Sequence, residues 1–500
     1  MTYLRKSTRI AIYLCALIAL TFNPALSTQI TKQLAPGVTL FQDINTDPAS
    51  ALIVNVVTVD LNNPTVKVKA ALAKDTVYDN DSTKGREKVS TLTSRRGALV
   101  GINADFFPFT GDPLGMCIID GELISEPAKE GRAAFALTKN GAIFFDKPVL
   151  SAKLTLASNV SRQVDGINRG RETNQVIVYT EAFGSSTQTK YKGTDIVLTS
   201  DELPIRVGKT VNMTVTEVKP DSVNTQIPRG GVVISAGGPA GWFLKENLKP
   251  GDRMSVQFDI KGSDGQDWTQ VDQAVGGGPW LVKDGNEFID TVQECFQPSF
   301  CTTSHPRTAV GMTSDNKLLL VTVDGRQAIS GGLSLPNMAA LMKRYNAVNA
   351  INLDGGGSTT LSIKGLVANS PSEGAERPVA NALLVFSDQP ALQELSDLVI
   401  SGIPGDVVSG EGAQLFLTWG DESQMLTEGQ LDSIIWGTTN GVGFVNQKGY
   451  FTPVKTRKGT VNALYGAQAA SLAVNVIEKA PVQEEILPVE PILQEPVLTQ

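Results

Sequence analysis

Asn349-Ala-Ile-Asn-Leu-Asp-Gly-Gly-Gly-Ser-Thr-Thr-Leu361 is the stretch around which this chain is organised. Residues 347–353 are mostly apolar and few enough for one buried strand, and the run stops at Asp354, followed by Gly355, Gly356 and Gly357. Such a strand delivers a carboxylate to its own end. Three glycines leave the main chain bare and free to take positive φ, so a ligand can approach the amide N–H groups, and Ser358 and Thr359 add hydroxyls. A tight connection is the plainer reading, but it does not require a run this open and polar. Upstream, 336–345 has helical spacing, with Leu335 just before it and Met338, Leu341 and Met342 within it apolar, and Lys343 and Arg344 in the last turn. The unit is therefore helix, turn, strand, glycine-rich site.

A second strand end resembles the first. Gly97-Ala-Leu-Val-Gly-Ile-Asn-Ala-Asp105 set over Asn346-Ala-Val-Asn-Ala-Ile-Asn-Leu-Asp354 matches Ala, Ile, Asn and Asp at the same offsets. Each copy follows a helical pattern that ends in a basic pair, Arg95 and Arg96 or Lys343 and Arg344. Chance similarity of two amphipathic strands explains this, or an internal duplication whose halves bring their strand ends to one cleft. Further along, Lys317-Leu-Leu-Leu-Val-Thr-Val-Asp-Gly-Arg326 reads as an apolar strand ending in Asp324, Gly325 and Arg326. An ordinary Asp-Gly turn with a surface arginine is the alternative. Arg307 falls on a strand within 304–312, and Arg377, Pro378 and Asn381 introduce another strand at 382–386. Gly276-Gly-Gly-Pro-Trp280 is either a ligand wall, with Trp280 offering its face to a sugar ring, or a structural bend.

The totals bound the rest. Five hundred residues at 41% hydrophobic exceed a single domain, and a formal charge of −8 argues against nucleic acid as a partner. Arg5, Lys6 and Arg9 precede an apolar run at 10–22 and small residues at 25–27, which predicts a signal peptide over 1–27 and an exported, periplasmic or extracellular protein. A retained signal anchor is the alternative, though the run is short for a span. After cleavage no transmembrane anchor is expected. In an oxidising compartment Cys295 and Cys301 would close a small disulfide loop, whereas Cys117, between Met116 and Ile118, reads as a buried thiol. Alternation over 38–73 predicts paired strands, and 128–292 reads as strands and turns. Beyond Ser387-Asp-Gln-Pro390 the pattern becomes short strands at sandwich spacing, and 479–500 is a Pro- and Glu-rich tail expected to be disordered.

Asn103-Ala-Asp-Phe-Phe107, Pro113-Leu-Gly115, Arg307-Thr-Ala-Val-Gly311, Val323-Asp-Gly-Arg326 and Asn352-Leu-Asp-Gly-Gly-Gly-Ser-Thr359 resemble, in the same order, the motifs of the phosphodiester glycosidase family. This family includes the lysosomal uncovering enzyme, which removes N-acetylglucosamine from a phosphodiester, and bacterial proteins labelled as exopolysaccharide-associated. The resemblance covers roughly 85–387. Ala104 departs from it, since the family has Gly after the first Asn. Residues 389–478 resemble, more weakly, a bacterial immunoglobulin-like domain. The resemblance implies an α+β catalytic domain over 28–388, with mixed β-sheets and few helices, followed by an all-β immunoglobulin-like sandwich.

It also implies a reaction, hydrolysis of a sugar-1-phosphodiester in an envelope glycan or exopolysaccharide. The phosphate released is a weak base, so one carboxylate and a cation clamp would suffice without strong acid help. Asp354 is the expected essential carboxylate, with Asp324 and Asp105 as candidates for its partner. Arg307 and Arg326 suit bidentate contact with phosphodiester oxygens, and the amides of Gly355, Gly356 and Gly357 add donors. Asn103, Ser358, Thr359 and Asn381 would hold sugar hydroxyls. No cofactor is expected, although an oxygen-ligated Ca²⁺ or Mg²⁺ fits a second reading, a metal-dependent phosphodiesterase attacking phosphorus. A third reading is a non-catalytic binder of phosphorylated glycan, held at the cell envelope through its C-terminal domain. His305, the single histidine, reads as structural or catalytic with equal weight.

Overall fold

In the computed structural model, residues 27–294, 296–388, 392–420 and 424–479 are described. Residues 1–26 of the expected signal peptide, the 389–391 junction, Cys295 and most of the C-terminal tail lie outside them.

Strands dominate because the apolar residues alternate. Val38–Asn45 shows the rule, each inward residue buried and each outward one half-buried. It lies in an eight-stranded sheet ordered Ser27–Ala35, Val38–Asn45, Leu52–Asp60, Lys317–Val323, Arg307–Thr313, Ala347–Asn352, Trp280–Lys283, Asn286–Glu287. A five-stranded sheet, whose centre is Leu361–Ile363, Val100–Asn103 and Asn381–Ser387, packs against it through Val57, Val59, Ile102, Val310, Ile351 and Leu383. A second eight-stranded sheet and another five-stranded one are built from the middle of the chain, around Phe258, Ile234 and Trp268. Sequence analysis expects mixed sheets. Pairing among the described strands is instead antiparallel nearly throughout, the parallel contacts being Gly166–Ile167 with Ile177–Val178 and Asp406–Val408 with Asn475–Ile477.

The helix before the glycine-rich run spans Leu335–Arg344. The Ser334 side chain caps it by accepting from the Asn337 amide, Pro336 lies in its first turn, and Leu335, Met338, Ala339, Leu341 and Met342 form its buried face. It stops at Asn346, which takes a positive φ of 63° and turns the chain into the Ala347–Asn352 strand. The stretch leading to Asp105 has the same order, Val89–Arg95 and then Val100–Asn103. The reading of 128–292 as strands and turns misses the Gly238–Asn247 helix, in whose first turn Pro239 sits, where its lost N–H has no partner to forgo.

From residue 392 the chain forms three small sheets around Leu415, Leu417, Trp436, Phe451, Val461 and Val474, with one short helix, Glu428–Asp432. Sequence analysis sets this region apart, yet it is docked. Phe444 packs with Ile30, Ile44 and Ile53 of the first eight-stranded sheet. The Gln447 amide donates to Gln42 Oε1 at 2.9 Å, and the Lys32 ammonium donates to the Ile434 carbonyl.

Candidate functional site

The two Asn-x-Asp strand ends meet. The Asp354 amide donates to the Ala104 carbonyl at 2.9 Å, and Asn103 Nδ2 donates to the Asp354 carbonyl at 2.6 Å. Asn103 Oδ1 in turn accepts from Thr308 Oγ1 at 2.8 Å and from the Thr360 amide at 3.1 Å. A fully buried asparagine thus ties the two sheets together at the point where each delivers a carboxylate.

Asp105 and Asp354 occupy different settings. Asp105 is 3% exposed. Its oxygens accept from the Phe106 and Gly115 amides, both at 2.7 Å, and Asn381 Oδ1 fixes its own amide at 2.9 Å. A Cβ on Gly276 would lie 2.5 Å from Asp105 Oδ2, so only glycine lets that wall close on the carboxyl. Burial pushes Asp105 up to about 7; the two amides and Arg132 oppose this, and the charge of Asp354 adds to it. Asp354 is half-buried at the rim and accepts from the Gly355 amide at 2.9 Å. Burial pushes it up to about 6, opposed by the Ser358 hydroxyl, the Gly355 amide and Arg377. Two carboxyls raised toward neutrality in one site, one enclosed and one at the rim, suit one protonated and one ionised member.

Asp324, the other candidate, faces elsewhere. It is fully buried, with Oδ1 accepting from Asn369 Nδ2 at 2.7 Å and Oδ2 from the Ser370 amide at 2.9 Å. Its work in the fold is to hold the 369–370 segment down.

The arginines divide in the same way. Arg307 is 1% exposed; its Nε donates to the Leu333 carbonyl at 2.8 Å and its Nη2 to the Phe300 and Thr303 carbonyls at 2.8 and 2.9 Å. Burial holds its guanidinium down at about 10. Those donors are engaged with main chain, which is at odds with the bidentate phosphate contact expected from the sequence. Arg326 is exposed at the end of its strand, with φ 59°, and donates to His305 Nδ1 from Nη2 at 3.1 Å. Its guanidinium lies so close to Gly356 (φ 62°) that a Cβ there would be 3.2 Å from Nη2. Burial and the two arginines hold His305 below its ordinary value, so its Nδ1 accepts and its proton sits on Nε2.

Two residues near the rim escape the sequence pattern. Arg377 pairs with Glu373 and donates to Ser358 Oγ at 3.4 Å, packing where Gly357 lacks a side chain. His305 joins Arg326. Neither has a motif to mark it, and only the return of distant segments places them here. Of the glycine donors, the Gly355 amide is engaged by Asp354 and the Gly356 amide by the Pro306 carbonyl at 2.9 Å. Asn103, Thr359 and Asn381 are buried, with Thr359 Oγ1 3.3 Å from Thr308 Oγ1, and Ser358 is buried beneath Arg377. These side chains support the rim from below. Trp280 is also buried, its indole N–H donating to the Val282 carbonyl at 2.7 Å, so its face is not open to a sugar.

Cys117 is buried, and burial pushes its thiol up to about 12. The expected Cys295–Cys301 disulfide involves Cys295, outside the described residues; no disulfide occurs among those described, where Cys301 is a free thiol. Among the same residues no three His, Cys, Asp or Glu side chains converge as a metal-ligating group, and no helix is long and apolar enough to cross a membrane.

Residues 206–386 match the family model described as Phosphodiester glycosidase. The chain is 38% identical over 108 residues to SPbeta prophage-derived uncharacterized protein YomE of Bacillus subtilis, covering 22% of this chain and 16% of that protein. It is 38% identical over 110 residues to the N-acetylglucosamine-1-phosphodiester alpha-N-acetylglucosaminidase of Mus musculus, covering 20% of this chain and 21% of that protein. The chain thus spans about a fifth of the length of these relatives. Among solved structures, a hypothetical protein from Synechocystis shares the fold with a TM-score of 0.60 at 24% identity, covering 72% of this chain and 64% of that one.

Proposed function

We propose that this chain, whose residues 206–386 match the phosphodiester glycosidase family model, hydrolyses a sugar-1-phosphodiester at the anomeric carbon. The observation that carries the reading is the meeting of Asp354 and Asp105 across the Asp354–Ala104 hydrogen bond, beneath Arg326 and Arg377. The Asp105 side lies outside the matched segment, so the site is completed from both parts of the chain.

In this mechanism Asp354 acts ionised at the rim, either attacking the anomeric carbon or taking a proton from the attacking water. The C–O bond breaks and the phosphomonoester leaves with the bonding pair. It needs little protonation because it is already a weak base. Arg326 and Arg377 hold the departing phosphoryl oxygens, and His305, neutral, orients Arg326. Asp105 keeps its proton near neutrality, which leaves Asp354 free to be the charged member of the pair.

The substrate we infer is an N-acetylglucosamine-1-phospho-glycan or a similar envelope or exopolysaccharide linkage. Export is part of the same reading, supported by Arg5, Lys6 and Arg9 before the apolar run at 10–22. The 392–479 unit is read as an immunoglobulin-like sandwich serving attachment at the envelope, and the paired helix–strand units support an internal duplication.

The test is to incubate the purified full chain, alongside Asp354→Asn, with an N-acetylglucosamine-1-phosphodiester in ¹⁸O water. Label in the released sugar, lost with the variant, is the expected result. Label in the phosphate would overturn it in favour of attack at phosphorus. Binding without turnover in the wild type would point to a glycan-binding protein.

A further inference from the structure

Arg132 is a cation that the ion pairs of the fold do not account for. Its guanidinium lies over Phe296 at 4.6 Å and over Phe106 at 5.5 Å. Phe296 stacks on Phe300, with centroids 5.0 Å apart and planes 16° apart, and Arg307 lies over Phe300 at 4.9 Å. The two rings cover each other's inner faces and leave the outer faces to the two arginines. Each guanidinium is thereby held over an aromatic quadrupole.

The two ends of this stack differ. Arg307 is buried and donates to three carbonyls. Arg132 is half-buried and has neither a hydrogen-bond acceptor nor an ion-pair partner among the described residues, and its Nε is buried without a partner. A buried N–H left unpaired is costly, and no acceptor among the described residues engages the rest of this half-buried guanidinium. The main chain beside Arg132 is fixed on the site. The Ala133 carbonyl accepts from the Gly277 amide at 3.0 Å, and the Ala133 amide donates to Glu294 Oε2 at 2.9 Å. Phe106, one of the two rings, follows Asp105 directly, and the charge of Arg132 is felt at that carboxyl.

We propose that Arg132 is an anion-binding residue of the Asp105–Asp354 cleft, donating from its guanidinium to a non-bridging oxygen of the substrate's phosphodiester. Naming the anion as a phosphodiester rests on the proposed hydrolase function; the anion site itself rests on the stack and the unpaired donor. The rings restrain the guanidinium before substrate arrives, so little side-chain freedom is lost on binding. The competing explanation is that Arg132 serves only as a distant counter-charge to Asp105.

The experiment compares the full chain with Arg132→Met and Arg132→Lys, each first checked for an unchanged melting temperature. With the N-acetylglucosamine-1-phosphodiester, Arg132→Met should raise KM about tenfold or more while kcat changes far less, in line with the loss of a charge-assisted hydrogen bond. The constant for competition by inorganic phosphate should rise by a similar factor, and Arg132→Lys should recover part of both. A change confined to kcat and its pH profile, with phosphate competition unaltered, would overturn the proposal in favour of a counter-charge. If the wild type turns over no phosphodiester, the hydrolase reading fails, and calorimetry with inorganic phosphate still decides the site. Weaker binding in Arg132→Met supports it, and equal binding in both proteins overturns it. Should Arg132→Met melt lower, Arg132→Lys carries the same comparison.

Discussion

Val323-Asp-Gly-Arg326 and Leu353-Asp-Gly-Gly356 look alike in sequence: an apolar strand, an aspartate, a glycine. Their strands lie in one sheet on either side of Arg307–Thr313, both antiparallel to it, so they point the same way and end at the same edge. The two carboxylates nevertheless meet opposite fates. Over Asp324 the chain returns with Asn369 and Ser370, which take both oxygens and close off solvent. Over Asp354 the returning Arg377 reaches Ser358 and not the carboxyl, which accepts from its own Gly355 amide and stays half-buried at the rim. A strand end places an acid at an edge, and the segment packed on top of it decides whether that acid holds the fold or faces a ligand.

Exchanging the charge at each position should separate the two roles most sharply. Asp354→Asn is expected to lower kcat about 10²–10⁴-fold with no loss of urea stability, since burial already disfavours the charge it removes. Asp324→Asn should do the reverse, since its single amide oxygen cannot serve both Asn369 and Ser370 and its NH₂ would face one of their donors. Urea unfolding should show a loss of about 1–3 kcal/mol, with turnover per folded molecule retained. If both variants lost turnover with stability intact, the distinction between the two strand ends would be broken.

The arginines extend the comparison with a smaller effect. Arg326→Met removes a rim cation and should raise KM for the phosphodiester by about tenfold or more, as expected for a charge-assisted hydrogen bond. Arg307→Met leaves the carbonyls of Leu333, Phe300 and Thr303 without their donor. Its signature should be a lower melting temperature with KM held. A KM effect at Arg307 equal to that at Arg326 would place both in the clamp.

Local periodicity explains how much of this was legible beforehand. The Leu335–Arg344 helix, the Ala347–Asn352 strand and the delivery of Asp105 and Asp354 to strand ends all follow from spacings within about a dozen residues. The engagement of donors does not. Asp324 is closed by residues some 45 positions later. Asn103 holds the Asp354 carbonyl across 251 positions and so reads as a sugar ligand until the sheets are seen together. Arg132 and Arg377 carry no pattern at all, and their significance arises from what packs around them: two phenyl rings for one, Gly357 and Glu373 for the other. The docking of residues 392–479 through Phe444, Gln447 and Ile434 is equally invisible in composition.

Acidity provides the finest test of the comparison, because the sign of the effect is shared and only its source differs. Burial pushes Asp324 up to about 7, its two donors opposing, while the unfolded carboxyl stays near the ordinary value of about 4. Between those values the folded chain binds more protons than the unfolded one, so stability falls as pH rises. This group's contribution is fully present below about pH 4 and lost as pH passes through 7, with a slope of at most about 1.4 kcal/mol per pH unit. Asp105 and Asp354, also raised, add slope of the same sign. Urea unfolding should therefore give greater stability at pH 5 than at pH 8. Asp324→Asn, which cannot ionise, should flatten that slope without moving the pH profile of kcat/KM. Asp354→Asn should flatten its own share and abolish the acid limb near 6 of whatever activity is measured in the wild type. A wild-type stability flat from pH 5 to pH 8 would mean that the Asn369 and Ser370 donors outweigh burial. Asp324 would then be a permanently charged anchor, and the contrast with Asp354 would rest on access to the rim alone.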